Sequence, residues 1–316
     1  MLSRISSYLR RDGYQQQVNE KSDLEKAKEF TTSVNSVGFV FPKTTPTALH
    51  LYIAGNRTIV MLEFPNKWKV HVNFYTIGSD KYKISRNDGN AQYVSYHDGD
   101  GSEAVMMYLN GFIANLGSGK INNLGIHGTT WPSEYLRIEY LDEIPNWTIE
   151  VESRMMYANF IDYMNKRKNG IPHLQILHHK DFQIPASFYK SNVFRDSEEV
   201  TFYPKNLTMM DEEDFLNPKF RILEANASQI SDAVFNKKLH QWYGNSSESK
   251  NWKIISMDNV DNKETKRRID IAAILANMPY TKLNDDIGQV TFTIVRSDGD
   301  KVNITISAFA VKATFI

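Results

Sequence analysis

The sequence predicts an α+β protein: an antiparallel β-meander or sandwich with packed amphipathic helices, followed by a C-terminal antiparallel β domain. Stretches with an apolar residue at every second position cover residues 38–97 and 251–316. Between them, apolar residues recur at the spacing of a helix face, near residues 101–116, 153–168 and 228–243. The stretch GNSSESKN, at 244–251, has the composition of a linker.

These changes of pattern predict three parts: a helical N-terminal arm over 1–36, a main α+β domain over 37–245 and a C-terminal β domain over 246–316. The arm begins MLSRISSYLRR, with three arginines, three serines and no acidic residue. That composition fits a short basic surface arm, and it is also the composition of a transit peptide. No internal repeat is visible in the sequence.

The meander is predicted from alternating segments over residues 38–97, beginning with GFVF at 38–41. In WKVHVNFYTI, residues Trp68, Val70, Val72 and Phe74 share one face, and polar residues occupy most of the other. Residues 87–90 read Asn-Asp-Gly-Asn, which predicts a hairpin because these residue types tolerate positive φ.

The first predicted helix lies between two stretches that resemble ligand loops. An EF-hand loop starting at Asp98 would need glycine and glutamate where the chain has Glu103 and Leu109. A phosphate-binding loop ending in Lys120 fails in the same way, because Ala114 replaces its first glycine. Asp100 and Glu103 instead predict a capping box at a helix start. We therefore expect no metal, and Asp98 and Asp100 are the residues that a looser metal loop would use.

Several short segments predict further strands. They are EYLRIEYL at 134–141, WTIEVES at 147–153, PHLQILHH at 172–179, WKIISM at 252–257 and RIDIAAIL at 268–275. The last segment of the chain changes phase, because Ile306 shares a face with Ile304 whereas Phe309 shares one with Val311. This change predicts a β-bulge near Ser307 and Ala308, or a strand that passes from one sheet to another.

Catalytic signatures are absent. The chain has no cysteine, no HExxH or HxHxD motif and no GxSxG nucleophile elbow. An enzyme would have to use paired carboxylates, for which Glu150 and Glu152 on one face of a strand are the candidates, or His173 and His179 on the next strand. An exposed strand face is the alternative interpretation of both pairs. We expect no enzyme activity and no cofactor.

Composition limits the partners. Lys plus Arg and Asp plus Glu are both 37, and the pI is about 7.1, so nucleic acid is not expected as the main partner. No apolar run is long enough to span a membrane. Aromatic residues make up 12%, and exposed ones such as Tyr75, Tyr93 and Tyr96 could stack on sugars or bases, or lie at a protein interface. Neutral charge favours the interface.

The segment RIDIAAILANM…DDIGQVTFTIVRSDGDKVNITISAFAVKATFI is similar to the closing β domain of phage tail-fibre and baseplate-adaptor proteins. The resemblance covers about the last fifth of the chain and carries a TFxI…DGxxVxITIS hairpin. It implies a virion component of a tail, collar or baseplate. With the apolar C-terminal segment, it predicts a homo-oligomer that contacts itself and other virion proteins through Phe309, Val311, Phe315 and Ile316. The alternative is a metal-dependent enzyme acting on nucleic acid or carbohydrate, in a soluble cytoplasmic protein.

Overall fold

The computed structural model describes residues 44–87, 92–116, 118–178, 184–203, 210–217, 219–226, 230–244, 252–258 and 268–316. The predicted N-terminal arm, the expected strand at 38–41 and most of the predicted linker lie outside these residues. Within them the protein is a mixed α/β structure with one large sheet.

Fifteen strands of the described residues form a single sheet, in the order β12-β13-β14-β15-β11-β10-β9-β8-β7-β6-β1-β2-β3-β4-β5. These strands therefore do not form a sandwich of two sheets. Their bounds are β1 Ala48–Ala54, β2 Arg57–Glu63, β3 Lys69–Ile77, β4 Lys81–Asn87, β5 Gln92–Asp98, β6 Asn123–Gly128, β7 Asn146–Val151, β8 His173–His178, β9 Glu199–Tyr203, β10 Ile222–Asn226, β11 Ile254–Asp258, β12 Tyr280–Asp286, β13 Gln289–Val295, β14 Lys301–Ser307 and β15 Ala310–Phe315.

The sheet has an antiparallel section at each end and a parallel section in the middle. Strands β1 to β5 follow one another and pair antiparallel. Strands β6 to β11 also follow one another, but each pairs parallel with the next, and β6 pairs parallel with β1. Beyond β11, strands β15, β14, β13 and β12 pair antiparallel.

Helices of the described residues connect the strands. Eight are α-helical: α1 Gly101–Asn115, α2 Glu139–Asp142, α3 Arg154–Lys166, α4 Ala186–Tyr189, α5 Asn192–Asp196, α6 Glu212–Phe215, α7 Asp232–Gly244 and α8 Ile271–Ile274; Tyr135–Arg137 is a 3-10 turn. The predicted helix at 101–116 is confirmed, because Asp100 caps α1 by accepting a hydrogen bond from the Ser102 amide at 2.8 Å. The helix predicted at 153–168 is α3, capped by Ser153.

Two predicted strands are helical instead. The segment 134–141 forms the 3-10 turn and the start of α2, and Leu136 and Leu141 are buried there. Segment 268–275 contains α8, because the Asp270 carboxylate accepts hydrogen bonds from the amides of Ala272 and Ala273. In both segments short apolar alternation is compatible with one helical turn, and in the second the Asp270 cap favours the helix.

The phase change near Ser307 is neither a bulge nor a strand that changes sheets. It is a tight turn between two strands, after which β15 runs antiparallel to β14, with Ile306 opposite Val311. The other edge of β15 pairs with β11, where Val311 lies opposite Met257. The C-terminal strand is thus inserted inside the sheet, and its backbone edges are both satisfied within the chain.

The parallel section is built from repeated strand-and-connection units, which sequence inspection missed. Successive strands from β6 to β11 begin 23, 27, 26, 23 and 32 residues apart, at Asn123, Asn146, His173, Glu199, Ile222 and Ile254. The first three strands share a short pattern, with NLGI, NWTI and HLQI at 123–126, 146–149 and 173–176. Neighbour-on-neighbour stacking of such units is the plan of solenoid proteins.

Helices cover one face of the sheet. Ring contacts join Phe74 of β3 to Tyr108 of α1 at 5.6 Å, and Phe315 of β15 to Trp242 of α7 at 5.5 Å. In the middle, Phe202 of β9 meets Phe188 of α4 at 6.4 Å. The apolar positions of the strands and the inner sides of the helices form one continuous core. We call the other side of the sheet, opposite these helix contacts, the open face.

The paired state of β15 predicts the effect of removing it. A chain that ends at Phe309 lacks β15. It therefore loses the pairing of β15 with β14 and with β11, and the core contact of Phe315, so we expect no cooperative unfolding transition. Thermal denaturation followed by circular dichroism measures this effect. Ile316→Ala is the control, because that side chain is 70% exposed. A truncated chain that melts like the full chain would contradict the inserted position of β15.

Lys238, on α7, is a buried cation in the core. Its side chain is 1% exposed, and Nζ donates a hydrogen bond to the Asn217 carbonyl at 2.6 Å. Nζ also lies 4.3 Å from the ring centroid of Trp252. Burial lowers the pKa of Lys238 to about 7. The folded protein therefore binds fewer protons than the unfolded chain between about pH 7 and 10.5, and the free energy of unfolding rises with pH across that window.

Replacing this lysine removes the pH dependence. We expect Lys238→Met to be more stable than the wild type at pH 7 and to lose the rise in unfolding free energy toward pH 10.5. Urea denaturation at several pH values measures both. Lys237→Met is the matched control, because Lys237 is the exposed neighbour on the same helix. Equal pH profiles for the wild type and Lys238→Met would show that Lys238 stays charged.

Candidate functional site on the open face

The open face carries rows of polar side chains set by the strand registers. One row lies across ten neighbouring strands, from His50 to Thr291: His50, Gly125, Thr148, Gln175, Thr201, Glu224, Ser256, Lys312, Thr305 and Thr291. The next row includes Tyr52, His127, Glu150 and Leu177. The strand residues between these positions point into the core. Because side chains alternate along each strand, the polar residues collect on the open face.

Four side chains on this face form a hydrogen-bonded group, the histidine cluster, consisting of His50, Tyr52, His127 and Glu150. Nδ1 of His127 donates to Oε2 of Glu150 at 2.8 Å, and Nε2 of His127 lies 3.1 Å from Nδ1 of His50. The Tyr52 ring stacks on His127, with centroids 4.4 Å apart and planes within 12°. The four side chains come from β1, β6 and β7, and each holds its neighbour in place.

Gly125 makes the cluster sterically feasible. It lies in the middle of β6, between the two histidines, and has no side chain to place on the open face. A Cβ at this position would lie 2.1 Å from Nδ1 of His50 and 2.6 Å from Nε2 of His127. Glycine inside a strand frequently marks such a close approach.

The cluster is extended by charges on β2 and β3. Oε2 of Glu63 lies 4.0 Å from Nε2 of His50 and 3.4 Å from Nζ of Lys69. Burial lowers the pKa of His50 to about 4, and the charge of His127 adds to this effect, while Glu63 opposes it. His50 is therefore neutral at pH 7. Burial, followed by the charge of Glu150, raises the pKa of the Tyr52 hydroxyl.

The hydrogen bonds link the two rings. Glu150 accepts from Nδ1 of His127, and one of the two nitrogens His127 Nε2 and His50 Nδ1 donates to the other. The unfolded chain protonates His50 near pH 6.5, and the folded one only near pH 4. The contribution of His50 to stability is therefore complete above pH 6.5 and decreases between pH 6.5 and 4.

This geometry differs from that of a hydrolytic triad. A histidine held by a carboxylate is also found in hydrolytic triads, but there the second ring nitrogen activates a nucleophile. In this protein Nε2 of His127 meets another histidine, and no hydroxyl or thiol takes that place. No group of three or more potential metal ligands occurs among the described residues. The cluster is a rigid polar and aromatic surface.

The structure separates the acids and histidines that the sequence singled out. Glu150 belongs to the cluster, whereas Glu152 lies exposed directly after the end of β7, where its backbone N–H donates to the Gly128 carbonyl at 3.2 Å. His173 lies at the opposite end of the parallel strands, where Nδ1 is 2.7 Å from Oε2 of Glu199. The register places it four residues from the position opposite Glu150, about 13 Å along the strand. His179 lies outside the described residues.

The other predicted residues have structural positions. Asp98 ends β5 opposite Lys81, and Asp100 caps α1. Val311 is fully buried, and Phe315 packs against Trp242 and Trp252. Phe309 lies in the turn before β15, and only Ile316 of this group is largely exposed. Of the predicted interface residues, Val311 is therefore core, Phe315 packs against the core, and Phe309 is half-buried.

Sequence reasoning missed His50, Tyr52 and His127. A signal was present, because all three occupy the polar positions of alternating segments and a glycine interrupts the strand beside them. What the sequence lacked was the pairing of β1 with β6, which brings together residues 77 positions apart. Parallel pairing between distant strands leaves no local signal.

Comparison with known proteins finds no family model, no curated protein and no solved structure that matches this chain. Among the helices that the structure describes, none combines the length and the apolar character that a bilayer crossing requires. The site must therefore be interpreted from its own geometry.

The close approach at Gly125 can be tested by one methyl group. We expect Gly125→Ala to separate the two histidine rings, to lower the free energy of unfolding by about 1–3 kcal/mol and to raise the pKa of His50 from about 4 toward 6.5. Histidine titration by nuclear magnetic resonance measures the pKa. Gly244→Ala is the control, because no atom lies within 4 Å of the added Cβ. An unchanged His50 titration would contradict the cluster geometry.

Proposed function

We propose that this protein is a binding module whose open face receives a segment of a partner protein. The observation that carries the proposal is the asymmetry of the sheet. One face is covered by helices along its length, whereas the other presents continuous rows of polar and aromatic side chains. Repeated strand units generate extended surfaces of this kind, and solenoid proteins use them for recognition.

The chemistry of the open face suits a protein partner. It combines hydrogen-bonding side chains such as Thr148 and Gln175 with the immobilised rings of Tyr52 and His127. Rings held by their neighbours lose little conformational entropy when a partner binds. Tyrosine is enriched at protein interfaces, and the overall charge of zero provides no general attraction for nucleic acid.

The role as a phage virion component stays a prediction. Its expected mechanism, subunit contact through the last strand, is not available to a strand that already pairs on both edges. A virion protein could still use the open face, and binding there is the property that both interpretations share. The alternative of paired catalytic carboxylates finds no support in the positions of Glu150 and Glu152.

The experiment blocks the open face without touching the cluster. In the double variant Thr148→Arg/Gln175→Arg, two long side chains project from neighbouring strands β7 and β8. We expect this variant to lose a partner that the wild type binds, with at least a hundredfold weaker affinity, because the added side chains prevent close contact. Isothermal calorimetry with the purified partner measures the loss.

The matched control places two arginines on the covered side of the protein. Ala158 and Asn159 are exposed on α3, so Ala158→Arg/Asn159→Arg should bind as the wild type does. A photo-cross-linking residue at position 175, but not one at position 159, should then label the same partner. The proposal would be refuted by a partner that binds the wild type and both double variants equally, or by one that is labelled only from position 159.

A further inference from the structure

The antiparallel end of the open face carries a second row with a different composition. Arg57 of β2, Tyr75 of β3, Lys83 of β4 and Tyr96 of β5 lie directly opposite one another in the strand registers. Cations and tyrosines therefore alternate across four strands. We call this row the cation–tyrosine ladder.

The members of the ladder contact one another. The Arg57 guanidinium lies 5.1 Å from the centroid of the Tyr75 ring, and Nζ of Lys83 lies 5.6 Å from the same centroid. Nζ of Lys83 also lies 6.0 Å from the centroid of Tyr96, which is 70% exposed. Cation–π attraction holds the charged groups beside the rings. A further hydrogen bond, from Arg57 to Oδ1 of Asn73 at 2.8 Å, orients the guanidinium.

The charges of the ladder are not neutralised as those of Lys69 and Lys312 on the same face are. Lys69 pairs with Glu63 at 3.4 Å, and Lys312 lies 3.9 Å from Glu224. No carboxylate of the described residues lies within ion-pair distance of Arg57 or Lys83. In a protein with equal numbers of acidic and basic residues, two uncompensated cations on one row create a local positive surface.

From this arrangement we infer that the cation–tyrosine ladder binds an acidic segment of a partner protein, with carboxylates on Arg57 and Lys83 and apolar side chains against Tyr75 and Tyr96. Arginine binds carboxylates through paired N–H groups, and lysine adds a second charge-assisted hydrogen bond. The inference rests on the proposed function, because it specifies the chemistry of the partner at one end of the same face.

The geometry sets the spacing of the acidic residues. Arg57 and Lys83 lie two strands apart, so their backbones are separated by about 10 Å. That distance matches residues i and i+3 of a polyproline II segment, which advances about 3.1 Å per residue and brings every third side chain to the same side. The bound segment is therefore expected to carry two carboxylates with two residues between them.

A single-stranded nucleic acid is the less suitable ligand for this row. Its bases would need open ring faces for stacking, whereas cations already lie over Tyr75 on neighbouring strands. A carboxylate, in contrast, needs only N–H groups of the cations, of which a guanidinium has five and an ammonium three. The ladder thus favours an acidic peptide over a polynucleotide.

The experiment uses synthetic probes with the full-length protein. Fluorescein-labelled peptides, neutral except for two glutamates separated by one to four residues and flanked by leucine, are compared with matched glutamine peptides by fluorescence polarisation. A labelled oligodeoxythymidine serves as the nucleic-acid probe. We expect the peptide with two intervening residues to bind best, its glutamine counterpart at least tenfold more weakly, and salt to reduce the affinity.

Variants then locate the binding. Arg57→Gln/Lys83→Gln should weaken the affinity for the best glutamate peptide at least tenfold, while its melting temperature stays close to that of the wild type. Arg154→Gln/Lys168→Gln removes the same charge from exposed positions at the two ends of α3 and should bind normally. Equal binding of glutamine and glutamate peptides, retention of binding by Arg57→Gln/Lys83→Gln, or stronger binding of the oligodeoxythymidine would overturn the inference.

The outcome is separable from that for the proposed function. If Thr148→Arg/Gln175→Arg loses the partner while Arg57→Gln/Lys83→Gln retains it, the open face binds a protein and the ladder does not contribute. If the glutamate peptides bind the ladder but position 175 labels no partner, the ladder is a separate acidic-peptide site and the wider proposal fails.

Discussion

Parallel pairing of successive strands is the constraint on which the rest of the structure depends. Each strand from β7 to β11 pairs with its predecessor in a register that keeps apolar positions beside apolar positions. A shift of one residue would move Ile126, Ile149 and Ile176 from the core to solvent, so burial fixes the register. The helices that the structure describes pack against the core side of the sheet.

The two antiparallel sections extend this arrangement to the sheet edges. Strand β1 pairs with β2 on one side and β6 on the other, and β15 pairs with both β14 and β11. The open face therefore continues across both junctions between parallel and antiparallel pairing. This continuity places His50 of the meander beside His127 of the repeats, so the cluster exists only when the two sections are joined.

Local features were predictable from the sequence, and pairing partners were not. The Asp100 and Ser153 caps stand next to the helices that they start, so the positions of α1 and α3 could be read directly. Alternation located β7 and β8, but it is the same for parallel and antiparallel neighbours. The strand predicted at 268–275 was wrong, because eight residues of alternating pattern cannot exclude one capped helical turn. The virion assignment and the domain boundary at 246 remain predictions.

Two regions of the open face illustrate how one surface can combine rigidity with recognition. In the histidine cluster, both ring nitrogens of His127 meet internal partners: Nδ1 donates to Glu150, and Nε2 meets His50. A preorganised group of this kind offers a ligand its shape and its rings for stacking, more than hydrogen-bonding atoms that lack a partner. In the ladder, Arg57 and Lys83 are positioned by rings that cannot neutralise their charge. Their charge is therefore available to a ligand, and specificity is expected to arise there.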